Sequence, residues 1–199
     1  MSAIVAGLIL AGGKSRRFGG DKALAPLDGR SLLERAAEAL RPWASHVAVS
    51  ASKETAVGAT AHRLGLPVLS DREGLARGPL AGILAGLEWS TILNAKWLIS
   101  LPCDVALLPA DTFSRLLEVV AKANGAYAVT ARGPHSLCAV WSVESKDVLE
   151  AILATGVHPP VRDILKLLGA APVYFEQSGI FLNINTKRDL LAAEKALSS

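Results

Sequence analysis

The chain has 199 residues, of which 51% are hydrophobic and only 5% aromatic, and its formal net charge is +3. This hydrophobic content excludes a disordered protein, and because no linker rich in proline, serine or charge divides the chain, we expect a single domain over residues 1–199. The chain has no long basic tract, no apolar stretch approaching the ~20 residues of a membrane span and no signal-peptide pattern, so we expect a cytoplasmic protein that binds neither nucleic acid nor a membrane.

The first predicted element is a strand over residues 3–10, which is apolar on both faces, as expected of a central parallel strand. A loop rich in glycine and basic residues follows it directly. The glycines and cations of this loop are Gly12, Gly13, Gly19 and Gly20, with Lys14, Arg16, Arg17 and Lys22. Glycine lets backbone N–H groups approach an anion closely, and guanidinium and ammonium groups can hold a polyphosphate or a phosphate ester. This order of strand and loop predicts a phosphate-binding turn.

Two better-known phosphate loops are excluded by their spacing. Gly13-Lys14-Ser15 imitates the end of a Walker A motif, but Leu8 stands where that motif needs its first glycine. The dinucleotide fingerprint G-x-G-x-x-G is absent as well. The residues alone leave two interpretations open, a different kind of phosphate loop and a basic surface loop without a ligand.

Predicted strands and helices alternate through the first half of the chain. The capping box from Ser31 to Glu34 begins a helix that ends before Pro42, and Gly78-Pro79 begins another. Further strands are predicted over residues 46–51, 67–70 and 97–101, and further helices up to Gly65 and over residues 111–123. In open α/β sheets ligands gather beyond the carboxyl ends of strands, which makes Ser50 and Asp71 candidate site residues.

The second half departs from simple alternation. Predicted strands over residues 126–131 and 137–143 are separated only by Arg132-Gly133-Pro134-His135, so we expect an antiparallel strand there. Helices follow over residues 146–154 and 161–168, strands over 173–175 and 181–184, and a terminal helix over 186–197 with Thr186 as its N-cap and Asp189 at its third position. This order predicts an α/β fold with a mostly parallel central sheet and an antiparallel strand in its second half.

Asp104 follows the predicted strand 97–101 and is the candidate ligand for a divalent metal. Mg²⁺ often takes only one or two protein carboxylates, together with phosphate oxygens and waters. From the residues alone, the alternative role of Asp104 is to cap the turn after Pro102. Cys103 and Cys138 are too far apart for a zinc knuckle or a C-x-x-C pair, and they are predicted to be buried thiols in a reducing compartment.

Residues 10–22, Leu-Ala-Gly-Gly-Lys-Ser-Arg-Arg-Phe-Gly-Gly-Asp-Lys, resemble the nucleotide-binding signature of the molybdenum cofactor guanylyltransferases, the MobA family. The resemblance continues, in chain order, at residues 71–83, 102–104, 135–141, 161–169 and 181–190. It implies a three-layer, Rossmann-like nucleotidyltransferase fold. It also implies the transfer of GMP from MgGTP to the phosphate of the molybdopterin cofactor, with release of pyrophosphate.

The resemblance further implies ligands and residue roles. GTP and the molybdopterin cofactor are the implied substrates and Mg²⁺ the implied metal, and proteins that deliver the cofactor to molybdoenzymes are left open as partners. The implied nucleotide-binding residues are Leu10, Ala11, Gly12, Gly13, Lys22, Ser50, Asp71 and Asp104. The implied catalytic residues are Lys22, Arg16, Arg17 and Asp104, with Asp104 as the metal ligand. The implied acceptor-binding residues are Arg17, His135, Arg162, Asn183 and Asn185.

The chain departs from the family pattern at several positions. Ser50 stands where the family commonly has asparagine, which bears on one nucleotide contact, and Ser136 stands where proline is usual. Related cytidylyltransferases tend to begin the loop with Leu-Ala-Ala-Gly, so Leu-Ala-Gly-Gly favours guanine by resemblance. Two alternatives stay open: a nucleotidyltransferase acting on another small phosphorylated acceptor, including a cytidylyltransferase, and a non-catalytic GTP-binding or cofactor-delivery protein.

Overall fold

The computed structural model describes residues 4–13, 18–75, 78–176 and 181–197. Strands alternate with helices along most of these ranges, and short 3-10 helices cover Lys22–Leu24 and Val143–Ser145. The strands and helices, in chain order, are β1 (Val5–Leu10), β2 (Pro26–Leu27), β3 (Arg30–Ser31), α1 (Leu32–Leu40), β4 (His46–Ser50), α2 (Ala56–Arg63), β5 (Val68–Leu69), α3 (Pro79–Ile92), β6 (Trp97–Pro102), β7 (Val105–Leu107), α4 (Thr112–Val119), β8 (Gly125–Thr130), β9 (Gly133–Ser142), α5 (Lys146–Ala154), α6 (Val161–Leu167), β10 (Ala171–Phe175), β11 (Leu182–Asn183) and α7 (Lys187–Leu197).

Seven of these strands form one sheet in the order β10-β8-β9-β6-β1-β4-β5. β1 pairs in parallel with β4 on one side and with β6 on the other. β9 runs antiparallel to both of its neighbours, β6 and β8, whereas β10 and β5 pair in parallel with theirs. The prediction of a mostly parallel sheet with an antiparallel strand in the second half is confirmed.

Helices cover both faces of this sheet. Buried side chains of α1, α2 and α4 belong to one hydrophobic cluster, and those of α3, α5 and α6 belong to a second. Within β1, Ile9 packs in the first cluster while Ala6 and Leu8 pack in the second, because side chains alternate across a strand. The three layers explain why the first strand is apolar on both faces.

Helix α3 packs unusually close to the strands that lead to the candidate site. A Cβ at Gly86 would lie 2.7 Å from Cδ2 of Leu8 and 2.9 Å from Cδ2 of Leu98, and a Cβ at Gly82 would collide with the side chain of Ser50. The two glycines therefore let the helix backbone approach the sheet, and this contact fixes α3 over β1, β4 and β6.

A smaller hydrophobic cluster joins the far end of the glycine loop to the C-terminal helix. Phe18 packs against it, and the hairpin of β2 and β3 contributes to it. The hairpin turns through Asp28 and Gly29, whose φ angles of 52° and 74° match the left-handed turn that favours Asp-Gly. The fully buried members of the cluster are Leu27, Leu32, Ile184 and Ala193.

The structure corrects several predicted bounds. Residues 132–135, predicted to be a turn, include the beginning of β9, because His135 pairs with Ala128 after a register shift at Tyr127. The helix predicted over residues 111–123 covers only Thr112–Val119. The sequence does not predict β2, β3 or β7, because two or three residues are too few to show a periodic pattern.

The two predicted side-chain N-caps, at Ser31 and Thr186, are confirmed by hydrogen bonds. Ser31 Oγ accepts from the N–H of Glu34, and the Glu34 carboxylate accepts from the N–H of Ser31 at 2.8 Å. At the start of α7, Thr186 Oγ1 accepts from the N–H of Asp189 at 3.2 Å. Across the described ranges, no helix combines the length and the apolar character needed to cross a bilayer.

A buried relay of hydrogen bonds joins β6 to β9. The indole Nε1–H of Trp141 donates to Ser100 Oγ at 2.8 Å, and the Ser100 hydroxyl donates to the carbonyl of Leu137 at 2.8 Å. Ser100 and Trp141 are 0% and 1% exposed, so water cannot replace either partner.

The change Ser100→Ala should lower the free energy of unfolding by about 1–3 kcal/mol, because it leaves the indole N–H of Trp141 buried without an acceptor. Urea unfolding followed by circular dichroism measures this loss. Ser90→Ala is the matched control, since the fully buried Ser90 hydroxyl donates only to a carbonyl of its own helix, that of Gly86 at 2.7 Å. That control should cost less than about 1 kcal/mol, and equal losses in the two variants would contradict the relay.

Candidate active site

The candidate site lies at the carboxyl ends of β4, β1 and β6, three adjacent parallel strands. Leu10, the last residue of β1, pairs with Ser50 on one side and with Pro102 on the other. Beyond the strand ends, the N–H of Ala11 donates to the Ser50 carbonyl at 3.0 Å, and the N–H of Cys103 donates to the Leu10 carbonyl at 3.1 Å. The pairing therefore brings the glycine loop and Asp104 to one edge of the sheet.

The beginning of the glycine loop is open to solvent. Ala11 is buried, whereas Gly12 and Gly13 are exposed. A Cβ at Gly12 would lie no closer than 3.7 Å to a neighbouring atom, and a Cβ at Gly13 would meet nothing within 4 Å. Packing inside the protein therefore leaves room for a side chain at both positions. An anion bound to the backbone N–H groups would need this room to be empty, which glycine provides. Arg16 and Arg17, predicted to be catalytic, lie outside the described residues.

Lys22, just after the loop, points its ammonium group at Asp104. Its Nζ donates to Oδ2 of Asp104 at 2.5 Å and to Oδ1 of Asn185 at 3.2 Å. The side chains of Lys22 and Asp104 are 14% and 21% exposed, so water reaches little of this ion pair. We call Lys22, Asp104 and Asn185 the lysine cluster. The structure thus brings together three residues that the sequence analysis singled out separately.

Asn185 is held in place by the start of the C-terminal helix. The backbone N–H groups of Asn185 and Thr186 donate to Oδ2 of Asp189 at 2.9 and 2.8 Å. The hydrogen bond from the Asn185 backbone is the main cause that holds the pKa of Asp189 below its ordinary value, so this carboxylate is ionised at neutral pH. In addition, the N–H of Ile184 donates to the carbonyl of Asp104 at 2.8 Å, which fixes the backbone of this segment beside the cluster.

His135 lies against the C-terminal segment. Its ring stacks on Phe181 with 4.7 Å between the ring centroids, and its Nε2 lies 3.0 Å from Thr130 Oγ1. Phe181 has a φ of 56° and donates its N–H to the Leu107 carbonyl of β7 at 2.7 Å. Burial, followed by the charge of Arg132, lowers the pKa of His135, so the imidazole is neutral at physiological pH.

Two predicted nucleotide ligands have surroundings that the sequence does not reveal. The side chain of Ser50 is buried with its hydroxyl against Gly82 of α3, and its backbone carbonyl holds Ala11. Asp71 is exposed in the segment after β5. Its neighbour Arg72 pairs with Glu150 at 2.5 Å and with Glu88 at 3.3 Å, which ties this segment to α5 and α3.

The remaining predicted acceptor residues are exposed. Arg162 lies on α6 with 62% of its side chain exposed, and its Nε is 3.5 Å from Asp163 Oδ1. Asn183 lies in β11 opposite Val105 of β7. Within the described part of the chain, neither side chain forms a hydrogen bond or ion pair with the lysine cluster, whose polar contacts join Lys22 to Asp104 and Asn185.

Sequence reasoning gave no site role to Thr130, Phe181 or Asp189. Asp189 is signalled by the Thr-x-x-Asp pattern that predicts the helix start. The contacts of Thr130 and Phe181 with His135 carry no local sequence signal, because they depend on the pairing of β8 with β9 and of β7 with β11.

Asp104 is the carboxylate that could hold a metal at this edge. No group of three His, Cys, Asp or Glu side chains within the described residues could hold a metal ion by itself. A divalent cation at Asp104 would therefore take further oxygen ligands from a substrate and from water. The adjacent Cys103 offers no nucleophile, because burial raises the pKa of its thiol to about 12.

Sequence comparison gives extensive matches. Residues 7–172 match the family model of the MobA-like NTP transferase domain. A molybdenum cofactor guanylyltransferase of Cereibacter sphaeroides is 41% identical over 194 residues, which cover 96% of this chain and 96% of its own. A protein of the same name from Acidiphilium cryptum is 39% identical over 189 residues, which cover 94% of this chain and 92% of its own.

Solved structures share the three-layer fold. Molybdopterin-guanine dinucleotide biosynthesis protein A of Archaeoglobus fulgidus superposes with a TM-score of 0.76 at 22% identity, covering 97% of this chain and 98% of its own. CMP:2-keto-3-deoxy-manno-octonic acid synthetase, complexed with CTP, also reaches a TM-score of 0.76 at 12% identity, covering 98% of this chain and 99% of its own. These likenesses confirm the predicted nucleotidyltransferase fold. The family match and the identity of 41% over nearly the whole length show that the chain belongs to the molybdenum cofactor guanylyltransferases, within the MobA-like NTP transferases.

Proposed function

We propose that the glycine loop and the lysine cluster carry out the reaction for which this family is named, the transfer of GMP from GTP to the phosphate of molybdopterin. The products are molybdopterin guanine dinucleotide and pyrophosphate. One observation supports this proposal. Lys22, Asp104 and an open glycine loop lie together at the carboxyl ends of three adjacent parallel strands, β4, β1 and β6.

The loop and Lys22 are suited to the triphosphate. The exposed backbone of Gly12 and Gly13 follows directly on Leu10 and Ala11, which are fixed by hydrogen bonds to neighbouring strands. Backbone N–H groups in such a loop can bind phosphate oxygens, and the Lys22 ammonium is a compact charge that can neutralise them. Asp71 and Ser50 complete the proposed nucleotide side, Ser50 through the carbonyl that positions Ala11.

A divalent cation fits the carboxylate of Asp104. This carboxylate already binds a cation, the ammonium of Lys22, and it keeps 21% of its surface exposed. Mg²⁺ is commonly bound by one or two carboxylates together with substrate phosphates, so one aspartate is sufficient. We assign Mg²⁺ as the metal and Asp104 as its protein ligand. When bound, Mg²⁺ would neutralise negative charge on the triphosphate as the pyrophosphate leaves.

The transfer requires alignment more than proton transfer. The acceptor phosphate is already an anion, so one of its oxygens can attack the α-phosphorus directly while the bond to the pyrophosphate breaks. The protein must place this oxygen in line and neutralise charge, which Lys22 and the loop can do. The protonated thiol of Cys103 cannot form a covalent intermediate.

The acceptor side is proposed to lie beside β7 and β11. His135 stacks on Phe181, whose backbone is bonded to Leu107 of β7, and Asn183 pairs with Val105 of the same strand. The neutral imidazole of His135 and the amide of Asn183 can both donate and accept hydrogen bonds, as the polar edge of a pterin requires. Arg162 and Arg17 are proposed to meet the acceptor phosphate.

The purified protein, incubated with Mg²⁺, molybdopterin and one nucleotide at a time, should release pyrophosphate and form a dinucleotide. We expect kcat/KM for GTP to exceed that for CTP or ATP by at least about 100-fold, because hydrogen bonds to the base can discriminate this strongly. Pyrophosphate release and mass analysis of the product are the measurements. A preference for CTP would agree with the proposed site but contradict guanine as the preferred base. The absence of product with every nucleotide would contradict the proposed transfer reaction.

The change Asp104→Asn should reduce kcat by at least about 100-fold, because the proposed metal site loses its carboxylate. Thermal unfolding should show that the variant retains its fold. Asp147→Asn is the matched control, because Asp147 is an exposed carboxylate on α5, after the end of β9 at the opposite edge of the sheet. Turnover of Asp104→Asn near that of the control would remove Asp104 from the mechanism.

A further inference from the structure

Asn185 contacts the catalytic lysine, although the family resemblance assigns it to the acceptor. Its Oδ1 accepts from Lys22 Nζ at 3.2 Å, while the same ammonium donates to Asp104 at 2.5 Å. An ammonium group has three donors, and these two acceptors fix its direction. Asn185 therefore helps to fix the position of the positive charge of Lys22.

The backbone that carries the Asn185 amide is held in place. Its backbone N–H is bonded to the ionised Asp189, and the preceding residue, Ile184, donates to the carbonyl of Asp104. Ile184 is itself fully buried in the small hydrophobic cluster. The backbone position from which the Asn185 side chain reaches Lys22 is thus set by the fold.

The ammonium of Lys22 binds Oδ2 of Asp104, one of the two oxygens of the carboxylate that is proposed to hold the divalent cation. A metal binds a carboxylate oxygen at roughly 2.0–2.1 Å for Mg²⁺, so a metal ion and an ammonium at 2.5 Å from Asp104 Oδ2 would repel each other at close range. Within the described residues, no group of three His, Cys, Asp or Glu side chains offers a more complete metal site in place of Asp104. Metal binding must therefore compete with Lys22.

We propose that Asn185 is a positioning residue that acts through Lys22: it holds the ammonium on Asp104 and keeps this carboxylate closed to divalent cations until a triphosphate draws Lys22 away. The proposal rests on the proposed function, because it takes Asp104 as the metal ligand and Lys22 as a ligand of the triphosphate. Its consequence is that the empty site binds metal weakly and that metal and nucleotide enter together.

The test is a titration with Mn²⁺ in the absence of nucleotide and acceptor, with free Mn²⁺ measured by electron paramagnetic resonance. Lys22→Met should bind Mn²⁺ about fivefold more tightly than the original protein, because the competing cation is gone. Asn185→Ala should bind about twofold more tightly, because Lys22 is held less well. In the double variant, Asn185→Ala should add nothing to the effect of Lys22→Met, since Asn185 acts only through the ammonium.

Three further variants serve as controls. Asn124→Ala changes an exposed asparagine in the loop before β8, outside the proposed site, and should leave Mn²⁺ affinity unchanged. Lys122→Met makes the same change in net charge in the loop before β8, at the opposite edge of the sheet, and should also have no effect. Asp104→Asn should lower Mn²⁺ affinity at least about tenfold, which locates the measured site.

The proposal is overturned if Lys22→Met binds Mn²⁺ no more tightly than the original protein. It is also overturned if Asn185→Ala has the same effect with and without Lys22, or if Asn124→Ala matches Asn185→Ala. These outcomes are measured as Mn²⁺ affinities, without nucleotide or acceptor. A failure to detect guanylyl transfer would contradict the proposed function but would not change these affinities, so the two failures can be told apart.

Discussion

The contact between the ammonium of Lys22 and the carboxylate of Asp104 is the interaction on which the site depends. It fastens the end of the glycine loop to the turn between β6 and β7, and Asn185 fastens the C-terminal segment to the same point. Either charge alone would lack a counterion in a place that water barely reaches, at a considerable cost in desolvation. The pair offsets part of that cost and joins three distant parts of the chain before a ligand arrives.

The direction of the strands explains what surrounds this pair. β4, β1 and β6 run in parallel, so their carboxyl ends deliver Ser50, the glycine loop and Asp104 to one edge. β9 runs the other way: Ala139 lies opposite Ser100, so the residues before it extend toward the carboxyl end of β6. His135 reaches the edge at the beginning of its strand for this reason. A parallel β9 would have placed His135 at the opposite edge.

Features that arise from local sequence patterns could be predicted, whereas features that arise from contacts between distant residues could not. The long apolar strands and the N-caps of α1 and α7 are local patterns, and the structure confirms them. The phosphate-binding role of the glycine loop also comes from a local pattern and stays a prediction. The contact of Lys22 with Asn185 spans 163 positions, and no local pattern encodes it. The buried hydroxyl of Ser50 is equally hidden, because it depends on the close approach of Gly82. β7 has only three residues, too few for a sequence pattern. It nevertheless accepts a hydrogen bond from the N–H of Phe181 and pairs with Asn183.

The position of Asn185 near the end of the chain affects how the protein matures on the ribosome. Synthesis proceeds from the N-terminus, so the loop, Lys22 and Asp104 are made well before Ile184, Asn185 and Ala193. Until those residues are available, Leu27 and Leu32 lack the partners that bury them, and Lys22 lacks its second acceptor. A nascent chain that stops before these residues therefore lacks these contacts at the carboxyl ends of β4, β1 and β6, and they form only after residues 184–193 have been translated.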